Sequence, residues 1–340
     1  MHLPIMAYIL NLFLTVTAFA AADDISFKGV CDASAGWPLD IDRIAVGEDE
    51  HDNLLVYSTG GGKAERSVDV EAALHQERPK KEADFEAVAS QGSRIYWITG
   101  HGRNDDGEAK LDRRRVLATS MALKPEGQVV TGLTGALRLH GLDGAIGSDD
   151  ADRPDLAAER GGLNIEALSA PPPSSGSSDA LWIGLRNPLA EGGKAIIVPF
   201  LNPAQTVDSG GTPELGEPLS VDLGGRGLRD MVWSPAHGTM LLIGGAADSA
   251  DDFALFSWSG DVKEAPKMIS DIANLRPEAI VAWPDSKRIL LLSDDRDRLM
   301  PATKAECEEG HFEAGMCPCK RLEGDAAARK EFRGRWLEVP

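Results

Sequence analysis

The sequence predicts an all-β fold, a β-propeller of about five blades with six as the alternative, on three observations. A short acid-led phrase recurs as DFEAVAS with Glu86, NIEALSA with Glu166, LRDMVWS with Asp230 and RPEAIVA with Glu278, with a fainter first copy, DIDRIAV, at Asp42. A stronger apolar run accompanies each copy: NLLVYST, RIYWITG, ALWIGLR, MLLIGGA and RILLLSD. Helical periodicity is nearly absent, while 36 Gly and 20 Pro punctuate the chain of 340 residues. A repeat of tens of residues, built from short strands bounded by turn residues, is the signature of stacked sheets around an axis.

Each element follows from this phrase. The intervals from Asp42 to Glu86 and from Asp230 to Glu278 approach the about 40–45 residues that a four-stranded blade takes. The longer intervals contain the polar stretch DGAIGSDDADRPDLAAERGG and the Pro/Ser-rich APPPSSGSSD, which read as loops. The third blade is expected to run NIEALSA, DALWIGLR, KAIIVPFL, PLSVDLG, and the fourth LRDMVWS, MLLIGGA, FALFSWS, KMISDIA. Short helices are expected near Val68–Glu77 and in the C-terminal GDAAARKEF. The segments ISFKGVC and RGRWLEV are each short of a blade, so the N- and C-terminal strands are expected to share the last one and close the ring. One domain over 23–340 results, with inserted loops near 143–162, 171–179 and 300–322.

Residues 1–22 read as a signal peptide: Ile5 to Phe19 is mostly apolar and Ala18–Ala22 offers small residues for cleavage. A periplasmic or secreted protein is expected, with no membrane attachment after cleavage. The net charge of −19 disfavours nucleic acid and anionic membrane surfaces, although a small anion could bind where arginines converge. In an exported chain the four cysteines, Cys31, Cys307, Cys317 and Cys319, suggest disulfides of open pairing, with a metal clip of Cys307, His311, Cys317 and Cys319 as the other possibility.

Propeller geometry puts residues before the first strand of a blade and residues after its second strand on one end of the ring. The first set holds Glu86, Glu166, Asp230 and Glu278, near Arg160, Arg226, Arg229 and Arg276; the second holds His101, Arg103, Asn104, Arg186, Asn187, Asp294, Asp295 and Arg296, with the Arg113–Arg115 run either flanking the site or forming a solvated edge. Carboxylates crowded round a channel repel one another unless a cation sits between them, and their hard oxygens suit Ca²⁺ or another divalent cation. Glu86, Glu166, Asp230 and Glu278 are therefore the candidate metal ligands. Glu86, Glu166 and His101 are the candidate catalytic groups. Arg103, Asn104, Arg186, Asn187, Arg229 and Arg276 are the candidate ligand-binding groups, because guanidinium grips phosphate or carboxylate in a fork. The same acids and arginines could instead pair with one another and pin the blades together. The YSTGGGK run at Tyr57–Lys63 lacks phosphate-loop spacing and reads as a turn. Trp97, Trp182, Trp233 and Trp283 read as packing residues.

The succession EAVASQGSRIYWITGHGRNDDGEAKLDRRRVLATSMAL, GLNIEALSA and LWIGLRNPLAEGGKAIIVPFLNP resembles the bacterial family known as domain of unknown function 3616, over roughly Asp84 to Asp295. More distantly the chain is similar to exported proteins described as the esterase-like activity of phytase, through the acidic motif that opens a strand. The first resemblance implies a propeller-like fold and no settled activity; the second implies a phosphoester hydrolase. Carried over by position, it points to Glu86, Glu166 and Glu278, and to Arg103, Asn104, Arg186 and Asn187. The expected function is therefore a small-ligand site, with divalent-metal-dependent phosphoester hydrolysis as its sharpest form; the alternative is a noncatalytic binding or interaction module of the cell envelope.

Overall fold

Period-two alternation within the strong apolar runs decides the architecture, because each run buries both of its faces. The computed structural model describes residues 24–48, 52–74 and 83–340, so the expected signal peptide at 1–22 lies outside the described residues. Ile95 and Trp97 enter one apolar core while Tyr96 and Ile98 enter another. Met240 and Leu242 face one core and Leu241 and Ile243 the next. Such strands are stable only with a sheet packed against each side.

Five sheets satisfy that requirement. The chain opens with β1 (Ile25–Lys28). The first sheet takes β2 (Ala35–Pro38), β3 (Arg43–Gly47) and β4 (Asn53–Ser58); the two-residue β5 (Gly62–Lys63) leaves it, and β6 (Arg66–Asp69) completes it before the short helix α1 (Glu71–Leu74). The second holds β7 (Phe85–Gln91), β8 (Arg94–Thr99), β9 (Val116–Ser120) and β10 (Pro125–Val130), followed by helices α2 (Leu133–Leu137) and α3 (Asp143–Ile146) in an inserted segment. The third holds β11 (Asn164–Ser169), β12 (Leu181–Ala190) and β13 (Lys194–Phe200), then α4 (Pro203–Ser209) and β14 (Leu219–Val221). The fourth is β15 (Gly227–Ser234), β16 (Thr239–Gly245), β17 (Phe253–Trp258) and β18 (Lys267–Asp271). The fifth begins with β19 (Pro277–Ala282) and β20 (Arg288–Ser293); after a small two-stranded excursion, β21 (Leu299–Pro301) with β22 (Met316–Pro318), it takes β23 (Glu331–Glu338).

In that fifth sheet the order is β19-β20-β23-β1-β5, so the first described strand lies antiparallel to the last. β5 adds to its edge in parallel and stitches the first sheet to the fifth. Phe27 of β1 stacks on Phe332 of β23 at 4.9 Å, and Tyr57 meets both rings edge-on. Five apolar cores fill the gaps between consecutive sheets, and one of them joins the fifth sheet to the first through Phe27, Ile44, Val46, Tyr57, Leu290 and Phe332. The first strands contact one another in the order β2, β7, β11, β15, β19, and β19 contacts β2. The fold is all-β and propeller-like.

One expectation needs correcting. Asp42 does not open a first strand: it precedes β3, the second strand of its sheet, and the inner strand is Ala35–Pro38, which carries no acid. The short helix expected near Val68–Glu77 is present as Glu71–Leu74, after Val68 and Asp69 end β6. The one expected in GDAAARKEF is a 3₁₀ helix over Gly324–Arg329.

The cysteines pair Cys31–Cys319 and Cys307–Cys317, which removes the metal clip. The first ties the β1–β2 connection to the inserted segment that follows β20; the second closes that segment on itself. Two disulfides suit an oxidising compartment and not the cytosol. Among the described residues no helix is long and apolar enough to cross a membrane.

Candidate functional site

The site begins with a repeated defect in the ladders. In four sheets the pairing of the first two strands slips between Phe85 and Ala87, Ile165 and Ala167, Leu228 and Asp230, and Pro277 and Ala279, with a second shift between Asn164 and Ile165 in the third sheet. The residue inside each slip is Glu86, Glu166, Arg229 or Glu278. A bulge turns one side chain out of the ladder and re-aims it. Here it sends three carboxylates and one guanidinium to a shared mouth, where they line a cavity of about 620 Å³.

The LRDMVWS copy is thus out of phase with the acid that the sequence offered. Arg229, not Asp230, occupies the position of the three glutamates. A one-residue change of phase in a strand reverses the face a side chain points to. Asp230 accordingly does not line the cavity. Its Oδ1 accepts the Met231 N–H at 2.8 Å and its Oδ2 accepts the Ile280 N–H at 2.6 Å, so it fastens the fourth sheet to the fifth. Burial pushes its carboxyl well above the usual range, against the two backbone donors. Replacing Asp230 with Ala strands two buried amide groups and is expected to cost about 2 kcal/mol of stability. Urea unfolding measures this, and an unchanged midpoint would contradict the fastening role.

Arg229 sits where a cation was expected. Its Nη1 is 3.0 Å from Glu166 Oε2 and 3.3 Å from Glu166 Oε1, and its Nη2 bonds Glu278 Oε1. Phe253 lies under the guanidinium, 5.6 Å from its carbon. Burial acts to lower the Arg229 pKa, but the charges of Glu166, Glu278, Asp294 and Glu86 outweigh it and raise the value. Close approach of the third and fourth sheets is what allows this wedge: a Cβ on Gly227 would overlap the Arg186 carbonyl.

The carboxylates differ sharply in their company. Glu166 accepts from Asn164 Nδ2 at 2.7 Å and from Arg186 Nη1 at 3.2 Å, besides Arg229. Glu278 also accepts from Ser34 Oγ at 3.4 Å, with Arg296 4.0 Å away. Burial raises the Glu278 pKa to about 7; Arg229 opposes the shift, while Asp294 and Glu166 add to it. Glu86 makes no hydrogen bond or ion pair among the described residues. Burial, then the charges of Asp84, Glu166 and Glu278, push its carboxyl well above the usual range. Its Oε1 would lie 3.2 Å from a Cβ on Gly100, so the glycine leaves room for it.

The other candidates divide. Arg186 lines the cavity but spends Nη2 on the Asp248 carbonyl at 2.6 Å and Nε on that of Ala246. Asn187 faces away and donates to the carbonyls of Ala158 and Ala247, so it holds loops and not a ligand. Arg103 reaches the cavity edge, yet donates to the carbonyls of Ile146, Gly107, Ala151 and Ser148 and so clamps the inserted segment. Asn104 closes a turn onto Glu108. His101 lies behind the lining, 1% exposed, with Nδ1 on the Thr99 carbonyl at 2.7 Å. Burial, with Arg114 and Arg115 nearby, lowers its pKa to about 4 despite that bond, so it is neutral at pH 7 and does not face the cavity as a base. Arg276 stays at the mouth, paired with Asp251 and Asp297.

Asp294 and Arg296, from the SDDRDR segment after a second strand, and Arg113, from the Arg113–Arg115 run, also line the cavity, as do Lys320 and Arg321, which sequence reasoning passed over. Arg113 pairs with Asp84 at 2.8 Å, and Arg296 Nε with Asp294 at 2.6 Å. Lys320 and Arg321 come from the excursion after β20, which the Cys31–Cys319 bridge holds over the mouth. No repeat phrase flags them.

The donor set does not fit a divalent cation. Arg229 fills the space between Glu166 and Glu278, Asp230 points elsewhere, and among the described residues no three His, Cys, Asp or Glu groups come together as a metal site. The expected set of Glu86, Glu166, Asp230 and Glu278 is therefore corrected to three glutamates around an arginine.

No family model matches the chain, and no curated protein matches it. Among solved structures it is similar to the PQQ-bound aldose sugar dehydrogenase of Streptomyces coelicolor, at 11% identity and TM-score 0.44, over 94% of this chain and 98% of that one. Glutaminyl cyclase of Myxococcus xanthus follows at 9% identity and TM-score 0.43, over 94% and 97%. Hydrazine synthase of Kuenenia stuttgartiensis gives 11% identity and TM-score 0.39; this chain is covered over 84% of its length and spans 59% of that chain. Likeness at this level carries no argument about the site or its activity.

Proposed function

We propose that the chain is a five-bladed β-propeller closed by β1 and β23, acting outside the cytoplasm, whose upper cavity binds a small oxyanionic ligand of the phosphate-ester class. The observation that carries the reading is the lining itself: eight Arg and Lys against eight Asp and Glu, in a chain whose acids outnumber its bases 54 to 35. Several of the basic groups are paired with solvent-exposed acids; Asp251 and Asp297 beside Arg276 are 76% and 68% exposed. Exposed pairs of this kind contribute about 0–1 kcal/mol, so a ligand oxyanion can replace them at little cost.

Protonation tips the balance further. Glu86 and Glu278 both hold protons more tightly than ordinary carboxyls, so acidification makes the cavity net cationic. Affinity for phenyl phosphate, measured by calorimetry, is expected to be about tenfold tighter at pH 5.5 than at pH 8, and to fall as pH rises through about 7. Glu86→Gln mimics the protonated acid and is expected to flatten part of that profile. If hydrolysis occurs, water bonds to phosphorus and releases a proton to solvent as the ester phosphorus–oxygen bond breaks, a protonated Glu86 gives its proton to the leaving oxygen and is reprotonated from solvent, and Glu86→Gln abolishes turnover. Release of nitrophenol from p-nitrophenyl phosphate, and of phosphate from phytate, is the assay. It is run with Ca²⁺ and with chelator, and neither is expected to alter the rate. Absence of binding at both pH values would defeat the proposal.

A noncatalytic envelope module is the second reading. It is favoured by Glu166, Arg186, Asn187 and Arg103, which are spent on one another and on loop carbonyls. It predicts the same pH-dependent binding with no turnover of either ester. The likeness to the domain of unknown function 3616 family belongs to this proposal and is compatible with both readings.

A further inference from the structure

The opposite ends of the five inner strands carry a second and larger cavity, of about 870 Å³. It lies where β2, β7, β11, β15 and β19 finish, while the charged cavity lies where those strands begin. Its chemistry is reversed. Val88, Leu168 and Val232 supply an aliphatic wall, and the indoles of Trp37, Trp233 and Trp283 face the same space. Trp97 and Trp182, 0% and 4% exposed, pack as expected; Trp233 and Trp283 also pack against apolar cores but lie in this lining as well.

Two details give the cavity a ligand preference. Trp283 is fixed from outside: its Nε1 donates to the Asp40 carbonyl at 2.7 Å and its ring stacks on Trp336 at 5.2 Å. The charged lining groups are Asp40, Asp285 and Arg288; Asp40 and Arg288 are tied to Arg43 and Glu338. Indole faces select flat rings, and a rim with two carboxylates to one guanidinium disfavours anions. The volume falls in the range of about 300–1,000 Å³ usual for small-molecule sites.

We infer that this lower cavity binds a neutral, flat, mostly apolar small molecule, independently of the charged cavity above. The test uses the full chain with Nile red, a neutral planar ketone dye, and with 1-anilinonaphthalene-8-sulfonate, an anionic one. Nile red is expected to brighten saturably at one dye per chain, to quench tryptophan emission, and to be unaffected by excess phosphate. The anionic dye is expected to bind at least about tenfold more weakly. Trp233→Leu removes an indole from the lining and is expected to weaken Nile red about fivefold. Ser90→Trp, which fills the cavity, abolishes binding; if that variant fails to fold, Met121→Trp at the exposed rim takes its place. Non-saturating binding, equal affinity for the anionic dye, or full affinity in both the Trp233→Leu and the filling variant would each overturn the inference.

Discussion

Arg229→Met is expected to lower the unfolding free energy by about 3–5 kcal/mol at pH 7, the usual range for removing one member of a buried ion pair. The guanidinium is 3% exposed and bonds both Glu166 and Glu278, which are 4% and 3% exposed. Without it, two buried carboxylates face each other across the channel, joined by Glu86. The pH dependence gives the sign. Glu278 has a folded pKa raised to about 7 by burial, above the ordinary carboxyl value of its unfolded state. Its contribution is full below the unfolded value and is lost as pH rises through about 7. The variant must therefore suffer most above pH 7 and recover partly at pH 5, where Glu278 and Glu86 can take up protons. Urea titrations at both values check this. A loss under about 1 kcal/mol at pH 8 would mean that the arginine is not the counter-ion of the ring.

The double variant Cys31→Ser, Cys319→Ser is expected to lose about 5 kcal/mol, because the bridge closes a loop spanning a sequence separation of 288 and so restrains most of the unfolded chain. It also anchors the excursion that carries Lys320 and Arg321. Phenyl phosphate affinity should then weaken even under conditions where the variant stays folded. The matching change at Cys307 and Cys317, with a separation of 10, should cost less, roughly 2–3 kcal/mol. Thermal midpoints under oxidising conditions compare the two. Equal losses would argue against the loop-length account.

The repeat was legible because packing imposes it. A second strand buried on both faces must be a continuous apolar run, and ALWIGLR, MLLIGGA and RILLLSD announce themselves for that reason. Its phase was legible only to within one residue. Asp230 looked like the fourth glutamate because the sequence offers an acid beside small apolar residues, whereas the bulge makes Arg229 the residue that turns inward. Asp42 misled in the same way, one strand along. The shared mouth could be read from strand direction; the partners of its side chains could not, since Arg103 and Asn187 are satisfied by carbonyls of inserted segments remote in sequence. Lys320 and Arg321 reach the cavity through a disulfide pairing that four cysteines leave open.

The seam between β1 and β23 also governs how the chain acquires its structure. Ile25 pairs with Gly334, so a register must be found between segments at opposite ends of the described chain. Contacts of such long range slow the search, and the middle sheets, each built from neighbouring hairpins, are free to assemble first. Yet loop closure costs only about 0.6 kcal/mol for each doubling of length, so this pairing of remote strands burdens the rate far more than the equilibrium.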